Sequence, residues 1–236
     1  MGTRRIIITC EHADNYIPRD FKLLFAGYES VLESHLGWDP GAFTVAKLMV
    51  KGFKCPIFFQ KISRLLVEVN RSVDHPQLFS KYVQKLDTSV KSMLLEKYYY
   101  SYRNSVEDKI AGWIGEGFDV IHISVHSFTP VLNDIERKVE IGLLFDDQRP
   151  AELAFNNQWK DLLQEQMPAF TIMHNVPYHG ADDGFTTYLR KKYTSNYIGT
   201  EVEINQKFAD MTQLKMIAKS LAYCLSMLTQ NESHHV

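Results

Sequence analysis

The sequence predicts an α/β fold: a single domain with a mixed, mostly parallel central sheet and helices on both faces. Three observations support this prediction. Apolar strand-like runs alternate with helical patterns along the chain. Residues 120–125 are mostly apolar and β-branched, as in a strand that is buried on both faces. The 236 residues suit one large domain, and no internal repeat or linker divides residues 1–236.

Short apolar runs with a β-branched bias predict seven strands. In chain order they are 5–10, 54–60, the apolar centre of 62–71, 118–129, 139–145, 170–174 and 197–204. The central strand must end at or before Pro130, because proline cannot donate to a strand ladder. His126 therefore lies near its carboxyl end, where open α/β sheets place their ligands.

Apolar residues at helical spacing predict helices from residue 42 and over 88–116, 150–166 and 206–229. Asp39 is predicted to cap the first helix, with Pro40 at its first position. The aromatic stripe of the second helix is interpreted as packing, and it could join copies of the chain in a homo-oligomer. Segments 72–87 and 175–186 are predicted to be loops, the second one mobile and rich in Gly and Asp.

Polar side chains concentrate near the predicted strand ends, namely His12, Asp39, Arg64, Asn70, Arg71, His126 and Glu203. Two imidazoles and a carboxylate suit Zn²⁺ with an open fourth position. A further carboxylate could act as a general base, and an arginine could stabilise the oxyanion that forms on a carbonyl. Two arginines that flank a short buried strand, with an asparagine beside one of them, suit an anion clamp. This combination predicts hydrolysis of an amide bond in a substrate that carries a carboxylate close to that bond.

Composition excludes several other classes of protein. The net charge is -2, and a nucleic-acid surface would need a clustered basic excess. No apolar run is long enough to cross a bilayer, so no membrane partner is expected. Three scattered cysteines are typical of reduced thiols and predict a cytoplasmic protein. The expected partner is a small molecule.

Four motifs resemble the N-formylglutamate amidohydrolase family, which is considered related to zinc carboxypeptidases and aspartoacylases. They are Glu11-His12-Ala13-x-Asn15, His35-x-x-Trp38-Asp39-x-Gly41-Ala42, Ser63-Arg64-Leu65-x-Val67-x-x-Asn70-Arg71 and Asn175-x-Pro177-Tyr178. The resemblance runs from Glu11 to about Gln206, and the second and third motifs are its most specific parts. It implies a zinc-exopeptidase or phosphorylase/hydrolase-like fold, a Zn²⁺ cofactor and cleavage of a small N-acyl amino acid such as N-formyl-L-glutamate.

The resemblance implies that His12 and His126 are zinc ligands. Carboxypeptidase-like enzymes draw their second ligand from His-x-x-Glu, whereas this chain has Asn15 at the corresponding position. Asparagine is a poor zinc ligand compared with a carboxylate. We expect Asp39 to replace it, and the remaining candidates are Glu11, Asp14, a weakly coordinating Asn15 and His35.

The same resemblance assigns the other roles. Arg64 would polarise the scissile carbonyl, and Asn70 with Arg71 would grip the substrate carboxylate. Glu203 would activate water at the zinc and then protonate the leaving amine. Glu201 is the alternative base, because alternation along a strand puts both glutamates on the same face.

Two residues of the Gly-rich segment, His179 and Thr186, are predicted to contact the substrate or to close over it. The alternative for His179 is a solvent-exposed loop histidine. Two other functions remain open for the chain. One is a carboxypeptidase-like or amidase activity on short peptides or cell-wall fragments, and the other is a metal-free binding protein on the same fold.

Overall fold

The central sheet is mostly parallel, as predicted, and it has six strands among the described residues. The computed structural model describes residues 3–53 and 55–230. The strands in these residues are β1 (Arg4–Cys10), β2 (Ile57–Phe59), β3 (Asp119–Phe128), β4 (Val131–Leu132), β5 (Ile135–Glu136), β6 (Ile141–Leu144), β7 (Ile172–His174) and β8 (Tyr197–Asn205). The sheet order is β2-β1-β3-β8-β6-β7, and only the β6–β8 pairing is antiparallel. Strands β4 and β5 form a separate hairpin.

Helices cover both faces of the sheet, which confirms the predicted fold class. They are α1 (Glu29–Glu33), α2 (Ala42–Phe53), α3 (Thr88–Leu94), α4 (Ser101–Gly115), α5 (Pro150–Gln166), α6 (Phe185–Lys192) and α7 (Met211–Gln230), with a 3₁₀ helix at Arg19–Phe25 and a π-helical stretch at Leu95–Tyr100. Ile8 and Ile121 pack with α2, α5 and α7 on one face. Ile7 and Val120 pack with α3, α4 and α6 on the other, because successive strand residues point to opposite faces.

Strand β3 is the centre of the sheet, paired in parallel with β1 and β8 along most of its length. Residues 120–128 are all buried. The register places His126 directly beside Glu203 of β8. His126 lies on the same face as Val120, and Glu203 lies on the same face as Tyr197, so both side chains project toward the α4 side.

The predicted third strand, at the apolar centre of 62–71, was wrong. This segment forms successive turns, in which the Leu66 N–H donates to the Ser63 carbonyl and the Glu68 N–H donates to the Leu78 carbonyl. Leu66 and Val67 are fully buried without belonging to a ladder. A short apolar run predicts that its residues are buried, but burial alone does not distinguish a strand from a packed loop.

Several predicted boundaries shift. The predicted loop 175–186 ends in the start of α6, which the sequence analysis missed, so Thr186 is a buried helical residue. The predicted helix 88–116 contains a π-helical stretch in its first half. The last helix begins at Met211 instead of residue 206. Lys54, the predicted start of the second strand, lies outside the described residues. Within 3–53 and 55–230, none of the helices is both long and apolar enough to span a membrane.

Candidate metal centre

A cavity of about 930 Å³ opens beside the carboxyl ends of β1, β3 and β8. Its walls include eight residues that the sequence analysis selected as ligands, catalytic groups or substrate contacts, namely His12, Asp39, Arg64, Asn70, Arg71, His126, His179 and Glu203. Thr186, the other predicted substrate contact, is not among the lining residues. The cavity lies at the position at which parallel α/β sheets bind their ligands. The eight predicted residues therefore meet at one site, although their roles stay predictions.

Three side chains at the floor of this cavity form a candidate metal site. His12 follows β1, Asp39 precedes α2, and His126 belongs to β3. One potential ligand atom of each lies within 4.8 Å of the other two. The Asp39 Oδ2 atom lies 2.8 Å from His126 Nδ1 and 3.2 Å from His12 Nδ1. Two imidazole nitrogens and a carboxylate oxygen at this separation match a zinc donor set.

The geometry favours Asp39 over the other predicted carboxylates. Asn15 donates its amide to the Leu32 carbonyl, and the Asp14 carboxylate accepts the Asn15 backbone N–H. Neither of these two residues is among those that line the cavity. The predicted capping role of Asp39 is replaced, because α2 begins at Ala42 and the carboxylate contacts the two imidazoles and Arg64. His35 does line the cavity.

Buried carboxylates hold the opposite nitrogen of each imidazole. His12 Nε2 lies 2.6 Å from Glu68 Oε1. His126 Nε2 lies 3.2 Å from Glu11 Oε2 and 2.8 Å from Ser124 Oγ. Glu11 is fully buried, so it supports His126 from behind instead of facing the cavity. Metal-ligating histidines usually donate their second N–H to such an acceptor, which orients the ring and raises its basicity.

The electrostatics of the cluster suit a bound cation. Burial alone would lower the pKa of His126, yet the Asp39 and Glu11 carboxylates hold that pKa well above its ordinary value. Burial would raise the pKa of Asp39, but the two imidazoles keep it far below its usual range. The imidazoles and carboxylates therefore stabilise each other's charged forms, and His12, Asp39 and His126 would hold a divalent cation that supplies the positive charge instead of protons.

Glu203 has the properties of a general base next to this group. It is 6% exposed, and its Oε2 atom is buried with no hydrogen-bond partner in the described chain. Burial is the main cause that raises the pKa of Glu203 to about 7. Glu201 lines the same cavity, as strand alternation predicted, but its Oε1 accepts the Thr186 hydroxyl at 2.5 Å. The orphaned oxygen favours Glu203 over Glu201.

Arg64 lies against the acidic side of the cluster. Its Nε donates to Glu68 Oε2 at 2.6 Å, and its Nη1 lies 3.5 Å from Asp39 Oδ1. The side chain is 29% exposed, so it also reaches the open cavity. The interpretation that two arginines bracket a strand was wrong in its structural part, because residues 64–71 form turns. The turns nevertheless bring both arginines to the cavity wall.

The predicted carboxylate clamp, Asn70 and Arg71, also lines the cavity. Asn70 Oδ1 accepts the Phe185 N–H at 2.9 Å, and the Arg71 guanidinium donates to the Asp183 carbonyl. A guanidinium has five N–H donors, so this bond leaves Arg71 able to grip a carboxylate. His179 is more exposed, with a 44% exposed side chain 3.6 Å from Asp147, and it stands at the cavity wall instead of the floor.

Sequence reasoning missed Glu68, which contacts both His12 and Arg64. Burial would raise the pKa of Glu68, but Arg64 and His12 hold it well below its ordinary value. A signal was present, because a carboxylate inside the apolar run 65–69 must be paired when it is buried. The predicted strand would keep residues 64 and 68 far apart, whereas the turns that form instead bring Glu68 into contact with Arg64.

The chain is similar to one known protein family and to several solved structures. The family described as N-formylglutamate amidohydrolase matches residues 4–209. A gene product of Agrobacterium tumefaciens, Atu2144, has a similar structure, with a TM-score of 0.78 and 25% identity over 97% of this chain and 93% of that one. The N-formylglutamate amidohydrolase of Ralstonia eutropha JMP134 superposes with a TM-score of 0.71 and 13% identity, over 100% and 96% of the two chains. No curated protein sequence matches the chain.

Proposed function

Because the chain belongs to the N-formylglutamate amidohydrolase family, we propose that it is a zinc-dependent hydrolase of the amide bond in a small N-acyl amino acid. N-formyl-L-glutamate is the first substrate to test. The observation that carries the zinc requirement is the buried group of His12, Asp39 and His126, with one ligand atom of each inside a 4.8 Å span. An unpaired oxygen of Glu203 beside that group supports the hydrolytic role.

The donor set fits zinc in its protein environment as well as in its ligand types. Both imidazoles turn Nδ1 toward Asp39 and have Nε2 held by a buried acceptor. Zn²⁺ bound there would act as a Lewis acid that lowers the pKa of water and polarises a carbonyl. Three protein ligands are the usual number in catalytic zinc sites, which keep one position open.

The other residues of the cavity have distinct roles in amide hydrolysis. Glu203 takes a proton from the attacking water and returns it to the leaving amine, and a pKa of about 7 suits both transfers at neutral pH. Arg64 faces the cavity and stabilises the negative charge that develops on the carbonyl oxygen. Asn70 and Arg71 hold the substrate carboxylate, which fixes the amide relative to Glu203.

The direct test is metal content and activity of the purified protein. We expect about one equivalent of zinc per chain and hydrolysis of N-formyl-L-glutamate, followed by loss of turnover after chelation and recovery on adding zinc. Hydrolysis is measured as glutamate released. A protein that neither contains nor binds zinc would contradict the proposal and favour a metal-free binding protein. Release of amino acids from short peptides, without hydrolysis of acyl amino acids, would favour the peptidase alternative.

The clamp predicts a selective loss of substrate affinity. Replacing Arg71 by alanine should raise KM about 10- to 100-fold for N-formyl-L-glutamate, because a charge-assisted hydrogen-bond pair is lost. The KM of an analogue whose carboxylates are converted to amides should change much less. Steady-state kinetics on both substrates measure the difference. The matched control is Arg19→Ala, which removes the same charge from an exposed 3₁₀-helix residue. An equal effect on the neutral analogue would show that Arg71 does not act as the clamp.

A further inference from the structure

The cavity extends beyond the space that a formyl-amino acid occupies. Its lining includes the apolar side chains of Val31, Leu36, Leu65, Phe79 and Tyr82, which we call the apolar lobe, and polar residues of the same segments, such as His35 and Lys81, line the cavity beside them. Cavities of about 300–1,000 Å³ accommodate drug-sized ligands, and this one is about 930 Å³. N-formylglutamate is considerably smaller and strongly polar, so it leaves the apolar lobe in contact with water.

Three segments build the apolar lobe, and specific contacts hold them together. Hydrogen bonds from the Ser63 hydroxyl at 2.9 Å and from the Arg64 N–H at 3.3 Å to the Gly37 carbonyl join the end of the α1 segment to the turn at residues 63–65. The Ser80 hydroxyl donates to the Leu65 carbonyl and joins the segment at residues 76–84 to the same turn. These hydrogen bonds hold the three segments together and fix the position of the apolar lobe in the cavity wall.

Ring packing fixes the outer side of the apolar lobe. The Tyr82 ring lies 5.3 Å from that of Phe25 and 4.8 Å from that of Tyr28, between ring centroids. Leu65, Phe79 and Tyr82 are half-buried and pack against the core on the α4 side of the sheet. A ligand that covers the remaining apolar surface of these side chains binds more tightly, because removing that surface from water lowers the free energy.

The apolar lobe begins next to the residue that faces the reacting carbonyl. Leu65 follows Arg64 directly, and Arg64 contacts both Asp39 and Glu68 at the floor of the cavity. The carboxylate clamp, Asn70 and Arg71, is bonded to Asp183 and to the start of α6, whereas Leu65 is bonded to the segment at residues 76–84. A substrate held by its carboxylate at the clamp, with its carbonyl at Arg64, would have its acyl substituent within reach of Leu65, the lobe residue that follows Arg64.

We propose that the apolar lobe is an acyl-chain subsite, and that the preferred substrates are N-acyl amino acids with an apolar acyl group of several carbons. This proposal rests on the proposed amidohydrolase function and specifies its substrate class. Water adds to the acyl carbon, the C–N bond breaks, and the amine leaves with a proton, so the products are a fatty or aromatic carboxylic acid and the free amino acid. A formyl group carries only hydrogen at that carbon and makes no use of the lobe.

The test compares acyl groups on one amino acid. For the zinc-loaded protein, kcat/KM is measured with N-formyl-, N-acetyl- and N-hexanoyl-L-glutamate. Each buried methylene contributes about fourfold, so burial of only two of the carbons that hexanoyl adds makes us expect hexanoyl to exceed formyl by at least about tenfold. A kcat/KM that falls steadily from formyl to hexanoyl would overturn the subsite and leave the amidohydrolase function standing.

A variant that fills the apolar lobe gives an independent measurement. Val31→Phe should lower the ratio of hexanoyl to formyl kcat/KM by at least about tenfold, because the added ring occupies the space of the chain. Val73→Phe is the matched control, since Val73 is 46% exposed and is not part of the cavity wall, and its ratio should equal that of the unmodified protein. Equal ratios for both variants would contradict the proposal.

Binding measurements test the acyl-chain subsite separately from the proposed hydrolase activity. If no acylglutamate is hydrolysed, the amidohydrolase proposal fails, and calorimetry with N-hexanoyl- and N-formyl-L-glutamate still tests the apolar lobe. Tighter binding of the hexanoyl compound that Val31→Phe removes would support an acyl-chain site in a binding protein. Equal affinity for the two compounds would overturn it.

Discussion

Replacement of Glu203 by glutamine is expected to remove nearly all turnover while the protein keeps its zinc. The substitution preserves the shape of the side chain and removes a carboxylate beside the candidate metal site that combines a raised pKa with a buried, unpaired oxygen. General acid–base groups typically contribute about 10²–10⁴-fold to the rate, and Glu203 is proposed to act in two proton transfers. We therefore expect kcat to fall by at least about 10³-fold with N-formyl-L-glutamate or its best acyl homologue.

Glu201→Gln is the matched comparison, because Glu201 lies on the same strand face and lines the same cavity. Its Oε1 is already bonded to the Thr186 hydroxyl, so we expect a much smaller loss of kcat. Metal analysis of both variants shows whether a loss is chemical or results from an empty site. Retained turnover in Glu203→Gln, or a larger loss in Glu201→Gln than in Glu203→Gln, would transfer the role of base to another residue.

Replacement of Asp39 by asparagine is expected to weaken zinc binding by at least about 100-fold. The Asp39 carboxylate lies between the Nδ1 atoms of His12 and His126, and an amide oxygen is a poor zinc ligand by comparison. Loss of this charge also removes one of the two carboxylates that raise the pKa of each imidazole, and leaves Glu68 at His12 and Glu11 at His126. Zinc affinity is measured by competition with a chelator, and the rise of Tm on adding zinc should disappear with it.

Asp14→Asn is the control for this experiment. Asp14 also follows β1 closely, and spacing alone left it as a candidate ligand. Its carboxylate bonds to the Asn15 N–H, and the residue is not among those that line the cavity. Zinc affinity should therefore be unchanged in this variant. Weakened binding in Asp14→Asn with full binding in Asp39→Asn would show that the wrong carboxylate has been identified.

Local pattern was sufficient to predict the sheet, its mostly parallel pairing and the polar residues at its carboxyl edge. β3 and β8 were recognised within one or two residues at their ends, and 150–166 is helical over the predicted range. Strand and helix periodicities depend on neighbours a few residues apart, so a single sequence contains them. The segment 62–71 failed because its apolar residues are buried by turns.

The choice of ligands and supporting groups required the tertiary structure. His12 and Asp39 are 27 residues apart, His12 and Glu68 are 56 apart, and Asp39 and His126 are 87 apart. Loops that carry no periodic signal determine whether such side chains meet. Asp14, Asn15 and Asp39 were open alternatives in the sequence, and only the folded chain turns Asp39 toward both imidazoles.

The sequence by itself determined that polar residues would line the carboxyl ends of the parallel strands, because strand direction and alternation are local properties of the chain. It also contained the motifs that resemble the amidohydrolase family. The tertiary structure alone decided that Asp39 stands between the histidines, that Glu68 braces His12 and Arg64, and that an apolar lobe adjoins Arg64. These contacts depend on how distant loops pack, and packing is a property of the whole chain.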